Sequence, residues 1–524
     1  MDFLIHHMLR TSARRFPERE ALVDKEARLA FADTENKVAA IAAGLREAGI
    51  KRGDRVGIYL DTSVSQALAI FAVSRAGAVF VPINGLLFPE QVAHIARDCE
   101  MTALITTGAK LASLAPVLQE GSICQLLVVV DKPNEDVISR PVCELHVLLK
   151  TPVPSDWRDW GIGKDLAAIL YTSGSTGKPK GVMLSHEQVM AGSSIVSDYL
   201  GITSKDRIIG VLPLSFDAGL NQLMTAIQQG ATYVPMTFTF AREIVKTLER
   251  EQITGMAGVP TLWSLMSQSS STLAKTPLPS LRYITNTGGR MPQTILNALR
   301  QTLGTTRIFL MYGLTEAFRS TYLPPEELDR RPESMGKAIP NTEILVVSDR
   351  GEPCRPGEIG ELVHRGPTVS MGYWGLPGIT AKVLRPHPFV RAELGDAEKV
   401  CYSGDLVKMD EDGFLYFVGR RDNMIKSSGF RISPTEVEEV LFQSGKVSAA
   451  AVIGIPDGAL GHWIKAFVAP RDGQSLDAET LLSFCAERMP RYMVPKVVEV
   501  MDTLPKTPTG KIDYPELRRR EGLS

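Results

Sequence analysis

The alternation of helix-like and strand-like segments is the sequence feature that most restricts how this chain can fold. A helical pattern at 39–48 precedes an apolar strand pattern at 55–60, and the same order repeats at 65–76 and 78–82. Strands that alternate with helices in this way usually pair in parallel, with the helices packed across the faces of the sheet. We therefore predict an α/β fold of helix-covered sheets that continues to about residue 419.

The pattern changes after the strand-like run at 413–418. The next residues, Arg420, Arg421, Asp422 and Asn423, are polar and charged and are typical of a crossing between domains. Beyond them the sequence predicts helices at 434–442 and 478–487 and strands at 449–455 and 464–469. We predict a large N-terminal domain of helix-covered sheet subdomains at 1–421 and a small mobile α+β C-terminal domain at 422–524.

Size and charge exclude several classes of protein. A chain of 524 residues is too long for one hydrophobic core, and 44% hydrophobic with 22% charged residues is typical of a globular protein. The 58 Lys and Arg residues balance 59 Asp and Glu residues, which gives no electrostatic reason to bind nucleic acid or an anionic membrane.

Targeting and membrane signals are weak in this sequence. Asp2, His6 and His7 interrupt the apolar start too early for a secretory signal, so we predict a helix packed on the body. The most apolar later stretch, at 66–82, contains Arg75 and falls short of a membrane span. The six scattered cysteines form no Cys-x-x-Cys pair, which favours neither a zinc site nor a disulfide framework and suggests the cytoplasm.

The strongest local signal is the segment YTSGSTGKPKG at 171–181, which follows an apolar strand at 166–170. Glycines, hydroxyls and backbone amides in such a loop can surround a phosphate. Pro179 breaks the spacing of the P-loop motif, which disfavours a kinase or GTPase. The predicted nucleotide-binding residues of this loop are Thr172, Ser173, Gly174, Ser175, Thr176, Gly177 and Lys180.

Further motifs follow in order along the chain. They are MYGLTEA at 311–317, YSGD at 402–405, GRRDNMIKSSGFRISPTEVE at 419–438 and PKTPTGK at 505–511. Together with the glycine loop they resemble the adenylate-forming superfamily of acyl-CoA synthetases, nonribosomal peptide synthetase adenylation domains and luciferases. The resemblance covers essentially the whole chain. It implies an ATP-dependent, AMP-forming ligase that makes an acyl-adenylate and passes the acyl group to a thiol, with Mg²⁺ and with coenzyme A or phosphopantetheine.

The resemblance also implies residue roles in the nucleotide site. It assigns Glu316 to Mg²⁺, Thr315 to the α-phosphate, Tyr312 to adenine stacking, Asp405 to the ribose and Arg420 to ribose or phosphate. Taken alone, the Thr-Glu pair favours the start of a helix with its acid in the first turn. In the segment NTGGR, Gly288 and Gly289 match glycines that let the backbone approach adenine.

Other implied roles belong to the C-terminal part of the chain. Lys511 matches a lysine that reaches the substrate carboxylate and the α-phosphate, so the implied catalytic residues are Lys511, Glu316 and Thr315. Asp422 occupies the hinge position, and Lys426 and Gly429 would line the pantetheine tunnel. Glu436, in contrast, is expected to stabilise the first turn of a helix.

Substrate identity rests on weaker signals. Asp217 resembles the aspartate that pairs with the substrate ammonium in amino-acid-activating domains, but it would also serve as an N-cap residue. Arg319 would bind a second carboxylate or pair with Asp217. The remaining implied pocket residues are mostly small or polar and favour a small or medium polar acid over a long fatty chain: Ala218, Asn221, Thr285, Thr287, Met311 and Ser320.

The sequence leaves two alternatives for the thiol that accepts the acyl group. An acyl-CoA synthetase would use coenzyme A, and the alternative is an enzyme that loads an amino acid onto a separate phosphopantetheinyl carrier protein. We expect no carrier domain with its attachment serine after Lys511, so such a carrier would be a separate partner. A luciferase-like oxidase and a non-catalytic nucleotide-binding protein are competing classes, and the joint presence of Glu316 and Lys511 disfavours the second.

Overall fold

The computed structural model describes residues 2–118, 124–132, 141–172, 179–391, 393, 398–421, 423–427, 430–457, 461–471, 474–507 and 510–523. Its helices are α1 (Ile5–Arg15), α2 (Phe31–Glu47), α3 (Val64–Ala76), α4 (Pro89–Asp98), α5 (Gly108–Leu118), α6 (Leu145–Leu148), α7 (His186–Leu200), α8 (Asp217–Gln229), α9 (Ala241–Arg250), α10 (Pro260–Met266), α11 (Gln293–Leu303), α12 (Pro377–Val383), α13 (Pro434–Gln443), α14 (Ala478–Arg488) and α15 (Tyr514–Arg520).

The strands are β1 (Glu20–Val23), β2 (Arg28–Ala30), β3 (Arg55–Tyr59), β4 (Val79–Pro82), β5 (Ala103–Thr106), β6 (Leu126–Val129), β7 (Val142–Glu144), β8 (Leu166–Thr172), β9 (Lys180–Ser185), β10 (Arg207–Gly210), β11 (Thr232–Pro235), β12 (Gly255–Gly258), β13 (Tyr283–Asn286), β14 (Arg307–Leu314), β15 (Ala317–Leu323), β16 (Lys337–Ala338), β17 (Glu343–Val347), β18 (Ile359–Arg365), β19 (Gly372–Tyr373), β20 (Leu384–Pro386), β21 (Lys399–Met409), β22 (Leu415–Arg420), β23 (Ile425–Ser427), β24 (Phe430–Ile432), β25 (Val447–Asp457), β26 (Gly461–Pro470) and β27 (Val497–Val500).

Two large sheets form the body of the molecule. In the described residues one has eight strands in the order β19-β9-β8-β4-β3-β5-β6-β7, and the other has nine in the order β16-β15-β14-β13-β12-β10-β11-β1-β2. Neighbours such as β3 and β4, or β12 and β13, run parallel, because a helix crosses between successive strands. The predicted α/β class, with helix-covered sheets, is confirmed.

The largest apolar core lies between these two sheets. It joins side chains of α1, α2, α3, α7 and α8 to strands of both sheets, including Phe80 and Ile208. Helix α3 is buried at every residue except Ser65, which explains why its sequence is mostly apolar. The Ser63 hydroxyl accepts a hydrogen bond from the Gln66 amide at the start of α3, and Gly77, with φ 82°, ends the helix.

Helix α1 is anchored to the body through one carboxylate. His6 Nε2 lies 3.1 Å and His7 Nε2 2.9 Å from Asp159, and Arg10 donates to the same carboxylate at 2.8 Å. Burial lowers the pKa of His6 to about 4, so this imidazole is neutral at pH 7. The prediction of an N-terminal helix packed on the body is confirmed.

A third sheet differs from the expected parallel arrangement. Strands β17, β18, β21 and β20 are antiparallel neighbours, and β22 pairs with β21. Several of these connections are too short for a crossover helix, so those strands fold back on one another instead. The strand-like run at 413–418 belongs to this sheet as part of β22.

The C-terminal residues build a smaller α+β unit, as predicted. Strands β25 and β26 are antiparallel, β27 pairs with β26 in parallel, and α13 and α14 contribute side chains to the same apolar cluster. The element bounds agree with the sequence prediction to within a few residues. Among the described residues, the helices are too short or too polar to cross a membrane.

Candidate nucleotide and acyl site

The glycine loop begins and ends on a β-hairpin. Thr172 at the end of β8 pairs with Lys180 at the start of β9, so both lie at the mouth of the loop. The loop residues Ser173, Gly174, Ser175, Thr176 and Gly177 lie outside the described part of the chain, as do Asp422 and Gly429. For Lys426 the structure describes the backbone, which lies in β23, and not the side chain.

Thr315 and Glu316 form the turn between β14 and β15, with Leu314 paired to Ala317. The helix start suggested by this pair alone is therefore wrong, because extended strands on both sides take up the backbone. Tyr373 donates a hydrogen bond to Glu316 Oε1 at 2.5 Å. Since Tyr373 lies on β19, which pairs with β9, the turn is fixed beside the strand that follows the glycine loop.

Asp405 lies buried in β21, opposite Arg420 of β22. Tyr312 donates to Asp405 Oδ2 at 2.5 Å, while Arg420 Nη1 lies 3.3 Å from Oδ1. Oδ1 is buried and accepts no hydrogen bond from the described residues. Burial raises the pKa of Asp405, opposed by the charge of Arg420, the Tyr312 hydrogen bond and the charge of Lys511.

Lys511 comes from the C-terminal unit but lies against the large body. Its Nζ is 5.3 Å from the centroid of the Phe216 ring, and its charge acts on Asp405. Thr261 donates to the carbonyl of the neighbouring Gly510 at 2.8 Å, which holds this loop on α10. The structure thus brings Lys511, Asp405 and Tyr312 to one region, although they lie far apart in the sequence.

Gly288 provides room for the Lys511 side chain. A Cβ at Gly288 would lie 3.1 Å from Lys511 Cε and 3.2 Å from Val259 Cγ1, and its φ of 78° also disfavours other residues. The carbonyl of Gly289 accepts a hydrogen bond from Asn286 Nδ2 at 2.9 Å. The close approach of the Lys511 side chain explains why residue 288 is a glycine. The approach of this segment to adenine stays a prediction.

A small cavity of about 20 Å³ lies beside this region. That volume is about enough for one water molecule and is well below the roughly 300–1,000 Å³ of small-molecule sites, so the wall must open to admit a ligand. Its wall includes these implied pocket residues: Ala218, Asn221, Thr285, Thr287, Met311 and Arg319. Ser320 is buried nearby and donates to the Ala317 carbonyl at 3.3 Å.

Asp217 faces Arg319 across this region. Arg319 Nη1 lies 3.7 Å from Asp217 Oδ2, and both side chains are 5% exposed. Asp217 is the first residue of α8, whose N-cap is Phe216 with no side-chain cap hydrogen bond. The N-cap interpretation of Asp217 is therefore wrong, because the helix begins one residue earlier than it requires. Pairing between Asp217 and Arg319 is what the structure shows.

Several wall residues were missed by sequence reasoning. Val196 and Leu200 of α7, together with Ile202, give the cavity an apolar side, and Gln222 and Thr225 of α8 add polar groups. Gln222 follows Ala218 by four residues and Thr225 follows Asn221 by four, a helical spacing that could have found them. Sequence patterns also did not indicate Tyr373, because a lone tyrosine in the segment GYWG gives no reason to expect a hydrogen bond to Glu316.

Comparison with known proteins places this geometry in a family. Residues 9–374 match the family model of the AMP-binding enzyme, and residues 436–511 match the AMP-binding enzyme C-terminal domain. The chain is 33% identical over 518 residues to a feruloyl-CoA synthase of Amycolatopsis sp, which covers 97% of each chain.

Solved structures agree with that assignment. An anthranilate CoA ligase in complex with anthranoyl-AMP is 25% identical and covers 100% of this chain and 98% of its own, with a TM-score of 0.89. The o-succinylbenzoate coenzyme A synthetase of Bacillus subtilis, in complex with ATP and magnesium ion, is 26% identical over 96% of this chain and 98% of its own, with a TM-score of 0.81. The chain belongs to the AMP-binding enzyme family and is an ATP-dependent, AMP-forming acid–thiol ligase of the acyl-CoA synthetase type.

Proposed function

We propose that this ligase activates a small or medium polar carboxylic acid and transfers its acyl group to coenzyme A. The observation that carries the proposal is the position of Lys511 beside Gly288 and Phe216. Gly288 follows Thr287 directly and Phe216 lies two residues before Ala218, and both Thr287 and Ala218 line the cavity. A carboxylate held at the cavity mouth would therefore meet the lysine and the nucleotide region together.

In the first step, a carboxylate oxygen of the acid attacks the α-phosphorus of ATP while the bond to the pyrophosphate oxygen breaks. Lys511 would supply positive charge where negative charge accumulates, and Thr315, in the turn between β14 and β15, would contact the α-phosphate. Because this charge matters most in the transition state, Lys511 is expected to act on rate more than on substrate affinity.

The nucleoside would be held by the buried group around Asp405. Its Oδ1 is buried and lacks a hydrogen bond from the described residues, which suits two vicinal ribose hydroxyls as donors. Tyr312 and Arg420 position the carboxylate from either side. Glu316 would hold Mg²⁺, which neutralises phosphate charge when bound, and the Tyr373 hydrogen bond orients that carboxylate.

In the second step, the thiol attacks the adenylate carbonyl, the bond between acyl carbon and phosphate oxygen breaks, and AMP leaves. Lys511 must withdraw to open a path for the thiol, so we propose a rotation of the C-terminal unit about Asp422. Lys426 and Gly429, which would line the thiol channel, then move with that unit.

Acid-dependent exchange of labelled pyrophosphate into ATP tests the proposal, followed by detection of the acyl thioester with coenzyme A. Exchange together with thioester formation is expected for several small polar acids. Absence of exchange with every acid would indicate a binding protein, and light emission from the adenylate would indicate an oxidase.

The second candidate is amino-acid activation for a separate carrier protein. It is favoured by the resemblance of Asp217 to an ammonium-binding aspartate, but Arg319 already lies opposite that carboxylate. If amino acids are the substrates, Asp217→Ala should lose exchange selectively with amine-bearing acids. Equal effects on all acids would remove that candidate, and transfer to a carrier in preference to coenzyme A would support it.

A further inference from the structure

The wall of the acyl cavity contains buried polar atoms without hydrogen-bond partners in the described residues. They are Asn221 Nδ2, Arg319 Nε and Gln222 Oε1. The three residues line the cavity and are only 2%, 4% and 8% exposed, respectively. Leaving a buried polar group unpaired is unfavourable, so a ligand that meets these atoms removes a cost already present in the empty pocket.

The chemical identity of these atoms limits the ligand. A guanidinium has only donors, so Arg319 Nε requires an acceptor atom. The side-chain amide of Asn221 has one hydrogen-bond donor group and one acceptor, whichever way it is oriented. It can therefore also donate a hydrogen bond to an acceptor atom of the ligand. Gln222 already donates to the Ile209 carbonyl at 3.1 Å, which leaves its oxygen to receive a donor.

The charged groups in the cavity wall further limit which ligand can bind. Asp217 and Arg319 form a buried pair with no net charge. A second carboxylate on the ligand would bring an extra buried negative charge, and an ammonium would compete with Arg319 for Asp217. A plain alkyl chain would leave the Asn221 and Arg319 donors unpaired.

The surroundings of Arg319 hold its backbone and side chain in one conformation, as expected for a residue that recognises a ligand. Arg319 has a φ of 81°, a conformation that costs a non-glycine residue free energy and persists only when its surroundings enforce it. A Cβ at Gly313 would lie 3.1 Å from both the N and Cα atoms of Arg319, so glycine permits this close approach of the hairpin strands. Thr287 Oγ1, 3.4 Å from Nη1, further fixes the guanidinium.

We propose that the acyl pocket selects an acid whose chain carries an uncharged hydroxyl or carboxamide group, bound by Asn221, Arg319 and Gln222. This inference rests on the proposed ligase function and names its substrate class. The methylene or ring carbons of such an acid would contact the apolar side formed by Val196, Leu200 and Ile202.

The test is pyrophosphate exchange with acids that differ only in one group. One set comprises hexanoate, 5-hydroxypentanoate, glutaramate, glutarate, 5-aminopentanoate and L-norleucine. A second set, one carbon shorter, comprises pentanoate, 4-hydroxybutanoate, succinamate, succinate and 4-aminobutanoate. In at least one set, the hydroxy acid or the amide acid is expected to exceed its alkyl counterpart about tenfold in kcat/KM.

Asn221→Leu provides the matched variant. It replaces an unpaired buried amide with an apolar side chain of similar size, so the variant should fold, and its melting temperature checks this. The ratio of kcat/KM between polar and alkyl acids should fall about tenfold. Asn297→Leu, an exposed asparagine on α11, is the control and should leave the ratio unchanged.

The outcomes separate this inference from the proposed function. Exchange with the alkyl, dicarboxylic or amine-bearing acids equal to or above that of the hydroxy and amide acids overturns the inference and leaves the ligase in place. A folded Asn221→Leu with an unchanged ratio also overturns it. No exchange with any acid of either set would count against the proposed small-acid ligase itself.

Discussion

At the residue scale, the site depends on a few charged groups brought together from distant parts of the chain. Lys511 lies against Gly288 and Phe216. Asp405 lies buried beside Tyr312, and Glu316 accepts a hydrogen bond from the Tyr373 hydroxyl. Each charge in this set has an opposite charge or a hydrogen-bond donor nearby. Removing one group should therefore affect one step of the reaction rather than the fold.

Lys511→Ala is expected to abolish the adenylation step and to spare thioester formation from supplied acyl-adenylate. The physical reason is that the ammonium is needed where charge accumulates on the phosphate, and not when the thiol attacks. Pyrophosphate exchange and single-turnover transfer measure the two steps. Lys446→Ala, which removes an exposed lysine of the C-terminal unit, should leave both intact, and equal loss of both steps in Lys511→Ala would contradict the role.

Tyr373→Phe is expected to raise the Mg²⁺ concentration needed for half-maximal adenylation about tenfold, since a hydrogen bond to a charged group contributes roughly 1.5–3 kcal/mol. A titration of exchange activity with Mg²⁺ measures this. Tyr416→Phe is the matched control, because its hydroxyl donates to Asp410 at 3.1 Å instead. The same Mg²⁺ requirement in both variants would show that Tyr373 does not act through Glu316.

At the element scale, one buried carboxyl group joins three pieces of the C-terminal unit. Glu438 of α13 accepts hydrogen bonds from the Val452 amide in β25 at 2.9 Å and from the Tyr514 hydroxyl in α15 at 2.6 Å. Helix α15 follows Lys511 directly, so this contact also fixes the segment that carries the lysine. Burial raises the pKa of Glu438 to about 7.

A raised pKa in the folded state predicts a definite pH dependence. The folded protein binds the Glu438 proton more tightly than the unfolded chain, so the contribution to stability is full below about pH 4.5 and is lost as the pH rises through about 7. Glu438→Gln should gain stability relative to the native protein between pH 5 and pH 8, by up to about 3 kcal/mol. Melting temperatures across that range measure the difference.

The control for this experiment is Glu479→Gln, which changes an exposed carboxylate at the start of α14. Its stability difference from the native protein should stay nearly constant over the same pH range. A constant difference for Glu438→Gln as well would mean that the buried carboxyl group does not carry the pH dependence.

At the scale of the whole molecule, the C-terminal unit contacts the body through α10. Ser264 donates to the carbonyl of Ser448 in β25 at 3.1 Å, and Thr261 donates to Gly510. These contacts hold Lys511 in the region of the proposed nucleotide site. The proposed second step needs them to break, so the two steps require two arrangements of the same two units.

A cross-link between the units should separate the steps. In the double variant Ser264→Cys and Ser448→Cys, a disulfide is expected to retain pyrophosphate exchange and to slow acyl transfer to the thiol at least tenfold. Reduction should restore transfer, and each single cysteine variant is the control. A cross-linked enzyme, verified on a non-reducing gel, that transfers the acyl group at the native rate would contradict the rotation.

The sequence was sufficient for features that depend on neighbouring residues. Helix and strand patterns gave α13, α14 and β25 to within a few residues, because hydrophobic periodicity and caps act over one or two turns. The ordered motifs indicated the candidate nucleotide residues and their chemistry through their resemblance to a known family. Local patterns taken alone offered Asp217 as an N-cap and Thr315-Glu316 as a helix start, and the structure shows neither.

Only the tertiary structure decided what meets across the fold. The pairing of Asp217 with Arg319, the apolar wall from α7 and the contact of Tyr373 with Glu316 all join segments far apart in the chain. Sequence patterns report which face of an element is apolar, but not which element it faces or how its charges are neutralised. The sequence by itself determined the family and the reaction, while packing between distant segments decided the shape and polarity of the acyl pocket.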